Sequence, residues 1–268
     1  MNPEEIKMIV KEKYSQIARQ GRAGEKASCC NTTDCCTEKE YTDISDDYSN
    51  LRGYYQDADL NLGCGIPTEF ANINTGDTVV DLGSGAGNDC FVARSLVGDT
   101  GKVIGIDMTA DMIEQATKNA SKLNYKNVEF VLGEIEDLPL SDGIADVVIS
   151  NCVLNLVPDK AKAFHEVYRI LKKGGHFCVS DVVLKGTLPE NLQKQAELYT
   201  GCVSGALQME EYLSVIRING FSNVEIKKQK QMDIPDEELL KYLSDTELSE
   251  FRKTGTGIFS ITVSADRL

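Results

Sequence analysis

The chain divides by the spacing of its apolar residues. Between Glu4 and Gln20, Ile6, Ile9, Val10, Tyr14 and Ile17 recur at helical intervals. Residues 21–50 are then rich in Gly, Ser, Thr, Asp and Cys, with few large apolar side chains, and read as a loop or partly ordered arm. From about residue 75 short β-rich runs take over, at 77–82, 102–107, 128–132, 145–150 and 175–180. Helical patterns at 88–97, 110–123 and 159–171 separate them. Strands alternating with helices predict βαβ units and a mainly parallel, doubly wound α/β sheet. Right-handed crossovers then place helices on both faces. Residues 190–220 read as mostly helical, and 224–229 and 258–263 as a late strand pair. Leu239, Leu240, Tyr242, Leu243 and Leu248 predict a helix between those two strands. Three parts are expected: an N-terminal helix and Cys-rich arm (1–50), the α/β domain (51–232) and a C-terminal helix and strand extension (233–268).

Composition narrows the class. With 268 residues, 41% hydrophobic and 26% charged, the chain can bury a real core. No apolar run approaches the roughly 18 residues of a spanning helix. The start, Met1-Asn2-Pro3-Glu4-Glu5, is polar and acidic, unlike a secretory signal. A cytoplasmic protein without membrane attachment is expected. The formal net charge is −14. The densest basic run, Lys227-Lys228-Gln229-Lys230, is short, so no nucleic-acid partner is expected.

The sharpest motif is Val79-Val80-Asp81-Leu82-Gly83-Ser84-Gly85-Ala86-Gly87, a strand running through a glycine turn into a helix. Asp107 ends the second expected strand, roughly 20 residues beyond the turn. A carboxylate there can accept hydrogen bonds from both hydroxyls of a ribose, and both features fall at carboxyl ends of strands, where open α/β sheets bind ligands. The glycine spacing departs from the Gly-x-Gly-x-x-Gly of dinucleotide sites. It resembles instead the Rossmann-like class of S-adenosylmethionine-dependent methyltransferases. That resemblance implies S-adenosyl-L-methionine as cofactor, met by Asp81, Gly83, Gly85, Asp107, Met108 and Asn151. In Gly133-Glu134-Ile135-Glu136-Asp137-Leu138-Pro139 it implies Glu134 facing the adenine amino group and Ile135 packing on the ring. Leu171-Lys172-Lys173-Gly174-Gly175 resembles the turn before the fifth strand in that class.

Nine cysteines in a chain expected to be cytoplasmic point to metal ligands, nucleophiles or redox thiols rather than structural disulfides. Cys152 follows the fourth strand directly, at a carboxyl end. Cys64 and Cys202 stand in glycine-flanked segments that can approach it. Three converging thiolates suit a soft three-coordinate centre such as trivalent arsenic. Its lone pair can take a methyl from a sulfonium without a strong base. His165 and His176 read as structural, and Cys90 and Cys178 as core packing. Tyr54 and Tyr55 either cover the sulfonium or anchor the N-terminal segment.

Together these contexts resemble the arsenite S-adenosylmethyltransferase family, over about residues 48–230. The resemblance rests on Tyr54-Tyr55, Leu62-Gly63-Cys64-Gly65, Asp81 to Phe91, Ser150-Asn151-Cys152-Val153-Leu154-Asn155-Leu156 and Cys202-Val203-Ser204-Gly205-Ala206-Leu207. It implies methyl transfer to thiolate-bound arsenite and methylarsenite, in arsenic detoxification. Cys152 and Cys202 would hold the arsenic, with Cys64 as third thiolate or redox partner. It also implies an N-terminal cysteine pairing with Cys64, reopened by thioredoxin or another thiol reductant. Cys29, Cys30, Cys35 and Cys36 all compete for that place, with Cys35 or Cys36 favoured. The quartet also reads as an arsenite-capturing segment, or as a functionless or metal-binding one. Two other readings of the chain are a methyltransferase of a small metabolite and a non-catalytic soft-metal thiolate protein.

Overall fold

The computed structural model describes residues 2–22, 46–188, 205–232, 234–241 and 243–268. Seven strands form one sheet: β1 (Thr78–Leu82), β2 (Lys102–Asp107), β3 (Val128–Leu132), β4 (Ala145–Asn151), β5 (Leu171–Lys185), β6 (Ser222–Gln231) and β7 (Gly257–Asp266). Their order is β3-β2-β1-β4-β5-β7-β6. The first five pair in parallel, and β7 runs antiparallel to both β5 and β6. Val79, Val80 and Leu82 of β1 and Val147, Val148 and Ile149 of β4 are buried, because helices cover both faces of these central strands. The seven helices among the described residues are α1 (Pro3–Arg22), α2 (Asn88–Val97), α3 (Ala110–Lys122), α4 (Lys160–Ile170), α5 (Met209–Ile218), α6 (Asp236–Leu239) and α7 (Asp245–Thr254).

The expected doubly wound sheet is therefore the one observed, with two local differences. The Leu171–Gly175 stretch, expected as a turn, belongs to β5. The C-terminal strand recruits it: Gly174 N donates to Arg267 O at 2.7 Å, and Arg267 N donates to Gly175 O at 2.8 Å. The single helix expected between the last strands is two short ones, and Ser244 and Glu247 form a capping box that starts the second afresh. Residues expected as a C-terminal extension supply β7, which lies inside the sheet between β5 and β6. Of the helical pattern at 190–220, α5 is present and buries Tyr212, Leu213 and Ile216. Residues 189–204 lie outside the described residues.

The core of the β5 side is aromatic. Phe177 meets Phe221 edge-on at 4.8 Å between centroids, and Phe164 meets Tyr212 edge-on at 5.7 Å. Each such pair adds about 0.5–1.5 kcal/mol beyond area burial. This rigid half carries the carboxyl ends of β4 and β5. Beside β1 the chain order reverses, with β2 and β3 on one side and β4 on the other. A crevice opens there.

Candidate active site

A cavity of about 160 Å³ occupies that crevice. It has room for many waters, each of which needs about 10–15 Å³. Every residue expected to bind cofactor borders it: Asp81, Gly83, Gly85, Asp107, Met108, Glu134, Ile135 and Asn151.

The glycine turn is fixed by the neighbouring strand. Gly83 N and Ser84 N both donate to Ile106 O, at 2.7 and 2.9 Å. Gly83 sits at φ +74°, and a side chain there would collide with Val153. Gly85 sits at φ +51° facing open space on the cavity side. The first glycine is thus demanded by packing, the second by the cavity. Gly85 N donates to Asp107 Oδ2 at 3.0 Å, and Thr109 N to Asp107 Oδ1 at 2.8 Å. Burial outweighs these two bonds and raises the Asp107 carboxyl above the ordinary range.

Asp81 is buried at the end of β1 and accepts from Cys90 Sγ at 3.2 Å. Burial, then the charge of Asp89, raises its carboxyl well above the ordinary range. Asp89 is raised by burial as well, although Asn151 and Tyr48 donate to it. Cys90 is core packing as expected, with the added bond to Asp81.

Asn151 borders the cavity, yet its amide holds the cysteine loop. Its Oδ1 accepts from Cys64 N at 3.0 Å, and its Nδ2 donates to Gly65 O at 2.8 Å and Tyr48 Oη at 2.7 Å. Tyr48 Oη in turn donates to Asp89 Oδ1 at 2.9 Å. Ser260 Oγ donates to the Cys64 carbonyl. Cys64 and Cys152 are buried in one cluster with Val182, Leu184 and Ile258. Cys152 also borders the cavity. Its φ is +60°, rare for a residue with a side chain, and Cys152 N donates to Ser180 O at 2.7 Å to hold it there. Such a conformation costs about 1–3 kcal/mol and is kept where the surroundings over-determine it.

Beneath this end Asp181 is buried and accepts from Tyr212 Oη at 3.0 Å. Burial pushes its carboxyl up to about 7. Lys160 donates to Asn155 O and Val157 O, both at 3.1 Å, and burial lowers its ammonium.

Cys202, Cys29, Cys30, Cys35 and Cys36 lie outside the described residues. Within the described residues no three His, Cys, Asp or Glu side chains group as a metal site. His165 is exposed and His176 bonds to Ala71 O, and neither borders the cavity. Tyr54 and Tyr55 do not border it either. Tyr54 packs with Tyr48, Ile66 and Val92, and Tyr55 stands edge-on to Phe91, which is the anchoring role. The tyrosines on the cavity are Tyr14 and Tyr48. Sequence reasoning missed both, and missed Asp89. Asp89 had a signal in standing two residues after the glycine turn. Tyr48 had none beyond being a large apolar residue at the edge of a polar arm. No described helix is long and apolar enough to cross a membrane. The lysines of the basic run face carboxylates: Lys228 pairs with Asp46 at 2.6 Å, and Lys227 pairs with Glu225.

A methyltransferase-domain family profile matches residues 73–235. The arsenite methyltransferase of Halobacterium salinarum is 39% identical over 98% of this chain and 67% of its own length. The human arsenite methyltransferase is 34% identical over 90% of this chain and 64% of its own. The chain thus spans about two thirds of the length of these curated relatives. The crystal structure of an arsenic(III) S-adenosylmethionine methyltransferase from Chlamydomonas reinhardtii superposes with a TM-score of 0.65. It is 36% identical, covering 77% of this chain and 68% of that one. With the strand order and the glycine turn already in place, these likenesses show that the chain belongs to the methyltransferase-domain family and, within it, to the arsenite methyltransferases.

Proposed function

We propose that the protein methylates thiolate-bound trivalent arsenic, as arsenite or methylarsenite, with S-adenosyl-L-methionine as methyl donor. The observation that carries this reading is the placement of Cys152. It is strained at φ +60°, shares a buried cluster with Cys64 and borders the cavity that the glycine turn shapes.

The cavity suits a ligand carrying hydroxyl and amino groups. Ser84 Oγ and Asn88 Oδ1 border it, buried and without protein partners. Buried polar atoms in proteins are as a rule hydrogen-bonded, so these two, standing on the cavity, call for a ligand's donors or acceptors. Asp107 would take the ribose hydroxyls, Glu134 and Ile135 the adenine, and Gly83, Gly85 and Met108 would lie along the nucleoside. Asp81 and Asp89, two carboxyls raised by their burial, favour a cationic ligand. When bound, the cofactor supplies an electrophilic methyl on a sulfonium.

The chain's own residues do the rest. Each thiol exchange forms an S–As bond and breaks an As–OH bond, and the thiol proton leaves with the hydroxide as water. Arsenite, with three hydroxyls, would make such bonds to Cys152, Cys202 and Cys64, whereas methylarsenite, with two, would make them to Cys152 and Cys202 and leave Cys64 as redox partner. Asn151, Tyr48 and Ser260 hold the Cys64 backbone so that its thiol stays near Cys152. Val182, Leu184 and Ile258 keep water away from the sulfurs. Methylation leaves arsenic pentavalent. Two thiolates return it to the trivalent state by giving two electrons and closing a disulfide, with Cys64 and Cys35 or Cys36 as our candidates. Thioredoxin or another thiol donor then reopens it by exchange. This redox cycle fits a reducing cytoplasmic setting, with neither nucleic acid nor membrane as partner.

The test is mass-resolved product analysis with purified protein, S-adenosylmethionine, arsenite and a thiol reductant. Methylarsenicals appearing in step with S-adenosylhomocysteine are expected. Cofactor binding with arsenite ignored would overturn the arsenic reading and leave a methyltransferase of another substrate.

A further inference from the structure

The reaction as described uses nothing from α1, yet α1 contributes a wall to the cavity. Lys7, Val10 and Tyr14 border it, three and four residues apart and so on one helical face. The same face continues as Ile17 and Ala18, buried against Met112 of α3. The opposite side is exposed, with Met8 and Ile9 in solvent. Two ionic contacts hold the helix down. Arg19 Nε and Nη2 donate to Asp111 Oδ2 at 3.1 and 3.0 Å. Lys7 Nζ donates to Glu134 Oε2 at 2.8 Å and pairs with Glu136.

The second contact is unusual in its placing. Glu136 is buried, and its other oxygen accepts from Asp159 N at 2.9 Å. Lys7 is the cation set between two carboxylates at one end of the cavity. Burial opposes its charge, but the hydrogen bonds to Glu134 and Glu136 outweigh burial and keep the ammonium charged. An ionised carboxylate left alone at that depth would be costly. Glu134 is itself exposed, and the hydrogen bond from Lys7 gives its carboxylate a defined partner at the cavity edge.

We propose that α1 is a cofactor-linked cover, with Val10 and Tyr14 touching the bound nucleoside and Lys7 positioning Glu134 for the adenine amino group. The inference rests on reading this cavity as the S-adenosylmethionine site. It follows that ligand binding and the seating of α1 stabilise one another, since the ligand binds the seated form better. An enzyme of this build releases its spent cofactor through the loosening of α1, and mutations in α1 act on cofactor affinity without touching a thiol.

The experiment is titration calorimetry with S-adenosylhomocysteine on the full chain, alongside hydrogen–deuterium exchange with and without that ligand. In the parent, exchange across residues 6–18 slows when the ligand is added. Lys7→Met weakens binding about tenfold, about 1.4 kcal/mol. Lys7→Arg restores it to within about threefold, because a cation again bridges the two glutamates. Tyr14→Ala, which leaves the ion pairs intact, also weakens binding severalfold. Lys7→Met strips the buried Glu136 of its cation and Tyr14→Ala trims the packing of α1, so both lower the melting temperature without ligand, and binding is compared at a temperature well below every variant's melting point. Exchange in α1 indifferent to the ligand, or Lys7→Met and Tyr14→Ala both binding within twofold of the parent, would overturn the proposal and leave the cofactor reading standing. A parent chain that binds no S-adenosylhomocysteine would overturn both.

Discussion

The two ends of the cavity are built by opposite means. At the nucleoside end, the contacts that shape the glycine turn join residues close in sequence, and only α1 reaches in from afar. Gly85 reaches Asp107, 22 positions away, and Thr109 reaches Asp107 across two. Strand register alone delivers these groups. At the thiol end, contacts cross most of the chain. Cys64 N meets Asn151 over 87 positions, and Ser260 meets the Cys64 carbonyl over 196. The first end is a local motif that many sequences can repeat for many purposes. The second exists only once the whole sheet has closed, and it is what separates this protein from others with the same turn.

The largest effect that sharpens this contrast is Cys152→Ser. It should lower methylarsenical formation at least about a thousandfold, about 4 kcal/mol of barrier. Affinity for S-adenosylhomocysteine should stay within about twofold, because the cofactor end does not need the thiol. A parental rate would end the thiolate mechanism. Next is Gly83→Ala at the other end. The φ of +74° and the collision with Val153 should cost about 2 kcal/mol, read as a lower urea midpoint. Cofactor affinity should fall with it.

A third prediction concerns pH under the thiol end. Burial raises Asp181 to about 7 in the folded protein, above its unfolded value of 3.8. A group raised in this way stabilises fully below the unfolded value, and that stability is lost as pH rises through about 7. Asp181→Asn has no such loss. Between pH 5 and pH 8 its unfolding free energy should therefore gain about 2 kcal/mol on the parent, whatever their offset at pH 5. An offset that does not change with pH would mean that Asp181 stays ionised throughout. The smallest effect is Tyr54→Leu. Since Tyr54 is away from the cavity, S-adenosylhomocysteine affinity should stay within twofold, a change below about 0.5 kcal/mol. A tenfold loss would restore the sulfonium-covering role for that ring.

The same contrast explains what could be read from the sequence. The five parallel strands, the glycine turn and Asp107 were legible because each is signalled within a few residues, by β-branched runs and by glycines that only a turn requires. Cys64 and Cys152 were legible as partners from the strand end and the glycine-flanked segment they occupy, and family likeness added their roles, but nothing local fixes the contacts that tie residue 64 to residue 151. Asp181 carried no signal, being one carboxylate in a chain with 42 acidic residues. Its buried contact with Tyr212 exists only when α5 packs on β5. Lys7 was hidden for a similar reason. On a helical wheel it is an ordinary surface lysine, and only the approach of the strand β3 loop makes it a bridge. The turn expected at 171–175 failed because the residues that pull it into β5 come nearly 100 positions later, at Arg267.

β7 follows the other six strands in sequence, yet it lies inside the sheet and supplies Ser260 to the cysteine loop. On the ribosome, residues are added at about 5–20 per second and amino-terminal parts begin to fold first. The nucleoside end, from β1 to the loop after β3, is complete long before residues 257–266 emerge. During synthesis there is thus a stage at which the residues of the glycine turn have been made and Ser260, which fastens the Cys64 loop, has not.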